Sequence, residues 1–170
     1  MITVGILVTV AAFIVPQMAS ADRARLMSAS AMLRSDLELA QTMSISSPSN
    51  PIAVRFEPAQ NRYWLAYAAT PGMPMDRPGT MDPYLVEFGV GEASSAANVA
   101  LTISGPADNT VTFNSLGGLS ALAGSPAVRL SFGSQAIELT ISHLTGSISE
   151  QDLVMDTDGE FVLPAAMESN

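Results

Sequence analysis

The side chains able to do chemistry in this chain are few and scattered. The one histidine, His143, precedes Leu144-Thr145-Gly146 with no second base or ligand beside it, so a strand end or turn is expected there. Asp156, Asp158 and Glu160 flank Gly159 and offer oxygen ligands, yet their spacing matches only a fragment of a calcium loop. Met73, Met75 and Met81 are soft donors, but they lie in a stretch rich in Pro and Gly that reads as a flexible exposed loop. Gly117-Gly118 is not followed by the Gly-Lys-Ser/Thr of a phosphate-binding loop, and so marks a turn. No Gly-x-Ser-x-Gly elbow occurs. Arg34 and Glu38 stand four apart, the spacing of a helix-surface ion pair. The absence of cysteine excludes disulfides, thiolate zinc sites and a cysteine nucleophile. No catalytic residue, metal site or cofactor is expected, and the chain does not read as an enzyme.

Charge points the same way. The formal net charge is −9, there is no lysine, and the 7 basic residues are arginines spread from Arg23 to Arg129. Nucleic-acid affinity rests on clustered cations that release counterions, so nucleic acid is not an expected partner. With 48% hydrophobic and 14% charged residues over 170 positions, the chain can fold as one domain with an appended element.

That element is N-terminal. Ile2 to Val15 is uncharged and apolar, with Ile2, Val4, Ile6, Leu7, Val10, Phe13 and Ile14 covering every side of a helix. As it stands the run is shorter than the roughly 20 residues that cross a bilayer. Three readings compete. One is a buried core helix, although no polar stripe is present. Another is a secretory signal peptide, with Ala19-Ser20-Ala21 as a small-x-small cleavage site but no basic residue before the apolar run. The third is a membrane or filament helix. It is favoured because the pattern continues past Pro16, a kink or exit point, into an amphipathic helix. Leu26, Ala29, Leu33, Leu37 and Ala40 recur at spacings of three and four, a face suited to packing on a globular head. Ser46-Ser47-Pro48-Ser49-Asn50-Pro51 should end the helix.

Beyond Pro51 the period becomes two. Ile52, Val54 and Phe56, then Tyr63, Leu65 and Tyr67, predict a hairpin turning near residues 58–61. Residues 85–88, 99–103 and 111–113 predict further strands. Val128, Leu130 and Phe132 predict a second hairpin with Ile137, Leu139 and Ile141 across Gly133-Ser134. Gly146-Ser147-Ile148 reads as a last short strand, with another possible at residues 160–163. Residues 70–83 and 115–126 read as loops. The expected fold class is α+β: a long helix on an antiparallel β domain of two small sheets. The expected organisation is residues 1–46 as helix, 47–149 as head and 150–170 as an acidic tail.

This order of elements resembles the type IV pilins and pseudopilins. Met1 to Pro16 is similar to the later part of their N-terminal signature. Three stretches resemble the H-type minor pseudopilins (GspH/FimT): Leu33-Arg34-Ser35-Asp36-Leu37-Glu38-Leu39-Ala40-Gln41; Val54-Arg55-Phe56-Glu57-Pro58 with Asn61-Arg62-Tyr63; and Val111-Thr112-Phe113-Asn114-Ser115-Leu116-Gly117-Gly118 with the hairpin ending near Gly146. Each is weak by itself, and they are specific only as an ordered set. The resemblance implies a structural subunit of a type II secretion pseudopilus, anchored in the bacterial inner membrane by a single helix with its head in the periplasm. Its implied partners are other pseudopilins or pilins, the inner-membrane assembly platform and membrane lipid. Family members carry a basic leader, a glycine cleavage site and a phenylalanine-to-glutamate segment. Alignment on Pro16 places about six mature residues before Met1, which would bring the apolar run to bilayer length. A minor pilin of a type IV pilus (adhesion, motility or DNA uptake), with its head on the cell surface, is the alternative within the fold. An exported β-rich binding domain with a cleaved signal peptide is the alternative outside it.

Overall fold

The structure, a computed structural model, describes residues 2–120 and 124–164, with side chains described from residue 21 onward. One helix, α1, runs over Ile2–Ser46. It is continuous across Pro16; the side chains from Ile2 to Pro16, the expected kink position among them, lie outside the described side chains. The helix closes where the Ser47 N–H bonds the Met43 carbonyl at 2.9 Å and the Asn50 N–H turns back to Ser47. Pro48 and Pro51 have no N–H to continue the ladder.

Two antiparallel sheets follow. The first joins β1 (Ile52–Glu57), β2 (Arg62–Tyr67), β3 (Leu85–Glu87) and β5 (Thr110–Thr112) in the order β3-β2-β1-β5. The second joins β4 (Ala100–Ser104), β6 (Ala127–Phe132), β7 (Gln135–Ile141), β8 (Ile148–Met155) and β9 (Phe161–Val162) in the order β4-β6-β7-β8-β9. The β1–β2 turn is a 3-10 turn over Pro58–Gln60 that ends on Asn61 at φ +48°, a left-handed position that Asn tolerates. Asn61 also stitches the sheets, since its Oδ1 accepts the Leu101 N–H at 3.0 Å. The β6–β7 link places Gly133 at φ +59°, as the first position of a tight II′-type hairpin requires.

The architecture is the α+β one: a helix laid on two antiparallel sheets. Leu26, Ala29, Leu33, Leu37 and Ala40 are all buried, in one core with Val54, Phe56, Tyr63 and Leu65 of the first sheet and Leu130, Leu139 and Ile141 of the second. Small residues keep the face close to the strands. Ser44, for example, bonds its own helix at Ala40 and accepts the Ile52 N–H at 2.8 Å, fixing the start of β1.

Two segments differ from expectation. The last strand was expected to stop near Ile148, with residues 150–170 as a tail. Instead β8 continues to Met155 and pairs with β7 along its length, and β9 pairs with Val154 and Met155. The polar run Ser149-Glu150-Gln151-Asp152 hides this strand because it lies near a sheet edge, where alternation is not enforced. The loop at 70–83 was expected to be exposed throughout. Met73 and Met81 are exposed, but Met75 is buried, because its N–H bonds Leu65 at 2.8 Å and its carbonyl takes the Tyr84 N–H at 2.7 Å.

Leu33→Ala or Leu37→Ala should each cost about 2–5 kcal/mol, as for other fully buried leucines. Urea unfolding of a chain starting at Ala21 measures this, and a cost below about half a kcal/mol at both positions would show that α1 is not held by this face.

Candidate functional site

The residues that fix α1 on the sheets form two polar junctions around the apolar face. In the first, Asp36 projects from α1 into the core, only 8% exposed. Its carboxylate accepts the Tyr63 hydroxyl from β2 and the Tyr84 hydroxyl from the segment before β3, each at 2.7 Å. Burial raises the Asp36 pKa, while the two hydroxyls and the Arg77 charge pull it back down. Burial, reinforced by the Asp36 charge, pushes both tyrosines up, so they remain donors. Arg77 stacks over Tyr84 at 4.6 Å and pairs with Glu92 at 2.7 Å. A cavity of about 360 Å³ beside this pair is lined by Arg77, Asp82, Leu85, Glu87, Val90 and Glu92.

The second junction lies at the far end of α1. The Gln41 Nε2 donates to the Gly117 carbonyl at 2.8 Å and the Thr145 carbonyl at 2.9 Å, tying two loops to the helix. These loops touch so closely that a Cβ at Gly146 (φ +68°) would overlap the Gly117 carbonyl oxygen. Gly118 likewise abuts the Leu144 carbonyl. The turn expected at Gly117-Gly118 is thus a contact point that needs bare backbone.

The other sequence candidates are accounted for locally. The His143 carbonyl accepts the Leu119 N–H at 2.8 Å, just beyond β7. Asp156 Oδ1 accepts the N–H groups of Asp158 and Glu160 at 2.9 and 2.8 Å, so it shapes the β8–β9 turn. Among the described residues no group of three or more His, Cys, Asp or Glu is placed to hold a metal ion. Arg34 and Glu38 bond at 2.9 Å on the exposed side of α1. Ile2, Val4, Ile6, Leu7, Val10, Phe13, Ile14 and Pro16 lie outside the residues with described side chains. No helix among the described residues is long and apolar enough to cross a membrane.

The stretches that resemble the H-type pseudopilins meet at these junctions. Asp36 of the helix stretch binds Tyr63 of the hairpin stretch, and Gln41 binds Gly117 of the third, beside Gly146. Sequence reasoning did not single out Asp36 or Gln41 individually. The available signal was a carboxylate and an amide on the buried side of an amphipathic helix.

No protein-family model and no curated protein matches this chain. Among solved structures, it is similar to the minor pseudopilin EpsH from the Type 2 Secretion System of Vibrio cholerae, at 13% identity and a TM-score of 0.47. The match covers 76% of this chain and 96% of that one. The likeness concerns architecture alone.

Asp36→Ala leaves two buried hydroxyls without an acceptor and should cost on the order of 3 kcal/mol in urea unfolding. A carboxyl whose folded pKa is raised stabilises most below its unfolded pKa, and that contribution is lost as pH rises through the folded value. The stability of the native chain relative to Asp36→Asn should therefore fall as pH rises from about 4, where the unfolded carboxyl begins to ionise. A flat or rising difference would contradict this electrostatic account. Gly146→Ala should cost about 1–3 kcal/mol from positive φ and overlap together, and Gly124→Ala, in open space, should cost far less.

Proposed function

We propose that this protein is a pseudopilin-like structural subunit, which assembles through the N-terminal half of α1 while its head faces outward. One observation carries the reading. A single continuous helix over Ile2–Ser46 docks one face of its later half on both sheets, while its first half is, by sequence, apolar on all sides. An apolar helix with no polar face needs lipid or other helices around it, and a membrane before assembly and a filament core of packed helices after it would supply these in turn. The contact between the resembling stretches adds support, because weak motifs that touch in the fold act as one structural unit.

At the finer level, the proposed setting is a minor pseudopilin of a type II secretion pseudopilus. Before assembly it would be held in the bacterial inner membrane as a single-pass protein, with the head in the periplasm. Its proposed partners are other pseudopilins and the inner-membrane assembly platform. The acidic head, with a formal net charge of −9 for the chain, disfavours DNA uptake as the alternative role.

Removing residues 1–20 should leave a soluble, folded, monomeric head that no longer assembles. In the full chain, Val10→Arg should abolish membrane retention or assembly without unfolding the head, because a central charge in an apolar helix costs about 3 kcal/mol. Membrane fractionation with circular dichroism of each variant measures both effects. A protein cut naturally after Ala21 and active in the soluble fraction would instead support an exported binding domain.

A further inference from the structure

The second sheet has an edge that the described chain leaves open. Met155 donates its N–H to Ser134 and Ser142 donates to Ser147, each at 2.9 Å, so the odd-numbered residues of β8 turn their backbone groups toward β7. Even-numbered Ile148, Glu150, Asp152 and Val154 turn theirs outward. Of these, Val154 meets Val162 of β9, in phase with the Asp156 N–H to Glu160 carbonyl bond at 2.8 Å. In that register Asp152 would next face Pro164, which has no N–H to give. Among the described residues the ladder stops there, and the outward groups of Ile148, Glu150 and Asp152 have no partner.

A groove runs behind this edge. Glu150 and Asp152 stand opposite Leu139 and Ile137 on the side of the sheet that faces α1. There they border a cavity of about 300 Å³ with Arg23 and Met27 of the helix. Asp152 is committed to Arg23 at 2.7 Å, whereas Glu150 has no hydrogen-bond or ion-pair partner among the described residues. Met27, 53% exposed, supplies an apolar wall. Open backbone groups, an apolar wall and one uncompensated carboxylate together define what fits.

We propose that the β8 edge takes an extended segment of a partner protein carrying a basic side chain, which adds as a further strand and pairs with Glu150. Charge decides against a second copy of this chain. Self-pairing would bring Glu150 and a net charge of −9 against their own likeness. An inward-facing charge on an edge strand also guards against unwanted pairing. Here that guard rejects apolar and acidic strands and admits a lysine or arginine. The inference concerns the head and does not depend on how the N-terminal half of α1 assembles.

Amide hydrogen exchange on the full-length chain in detergent tests it, with acetyl-Val-Lys-Val-Lys-Val-Lys-amide as probe and its Val-Glu counterpart as control. In the free chain the Ile148, Glu150 and Asp152 amides should exchange fast, and those of Ser149, Gln151 and Leu153 slowly. The lysine peptide should slow the three open amides by about tenfold or more, and the glutamate peptide should not. Glu150→Gln should weaken the lysine peptide about threefold. Glu150→Pro, which removes an outward N–H without touching the β7 ladder, should abolish binding. Protection of the three amides in the free chain would overturn the proposal, since residues 165–170 or another part of this chain would then occupy the edge. Equal protection by both peptides, or by neither, would overturn it as well.

Discussion

One narrow face of one helix has to satisfy two sheets at once, and most of the head follows from that constraint. Leu26, Leu33 and Leu37 fill the space between α1 and the strands, while Ala29 and Ala40 allow close approach. Burying a leucine gains on the order of 2 kcal/mol relative to leaving it in water, so the face holds the helix without specifying its rotation or register. Specificity comes from polar groups that would be costly if misplaced. Asp36 finds its two tyrosines, and Gln41 its two carbonyls, only when the helix sits in this position. Apolar area provides the affinity of helix for sheet, and the two junctions provide the alignment.

That division explains which parts of the structure were readable beforehand. Strict alternation in Ile52, Val54 and Phe56, and in Val128, Leu130 and Phe132, marks strands that gather their large apolar side chains on one face, and both hairpins follow from it. The helical face was equally plain, because spacings of three and four leave few alternatives. Asp36 was not, because its value depends on Tyr63 and Tyr84, distant in sequence, and an aspartate in an amphipathic helix ordinarily faces water. Met75 was hidden for a related reason: its loop doubles back to bond Leu65 and Tyr84, which composition cannot show.

β8 was hidden by the opposite effect. Strands reveal themselves through burial, and a strand near an open edge is freed from much of it. Ser149, Glu150 and Gln151 are exposed, so their pattern resembles a solvated tail although all three lie in register with β7. The features that obscure a strand in a sequence are those that leave an edge available to a partner. Position at the edge, lost alternation and an uncompensated Glu150 are three expressions of one circumstance.

The proposed function gives α1 two jobs: its later half aligns the head, and its first half would join neighbours. The chain contains no cysteine, so introduced thiols report cleanly on what lies beside them. The most direct measurement places single cysteines at Leu7, Val10 and Ile14 of the full chain, labels each with a thiol-reactive photo-cross-linker, irradiates intact cells, and identifies the cross-linked products. The account predicts covalently linked pilin-like neighbours at these positions, and none from a cysteine at Leu33, which is sealed against the sheets. Recovery of only monomer at all three N-terminal positions, with the head released and soluble, would contradict it.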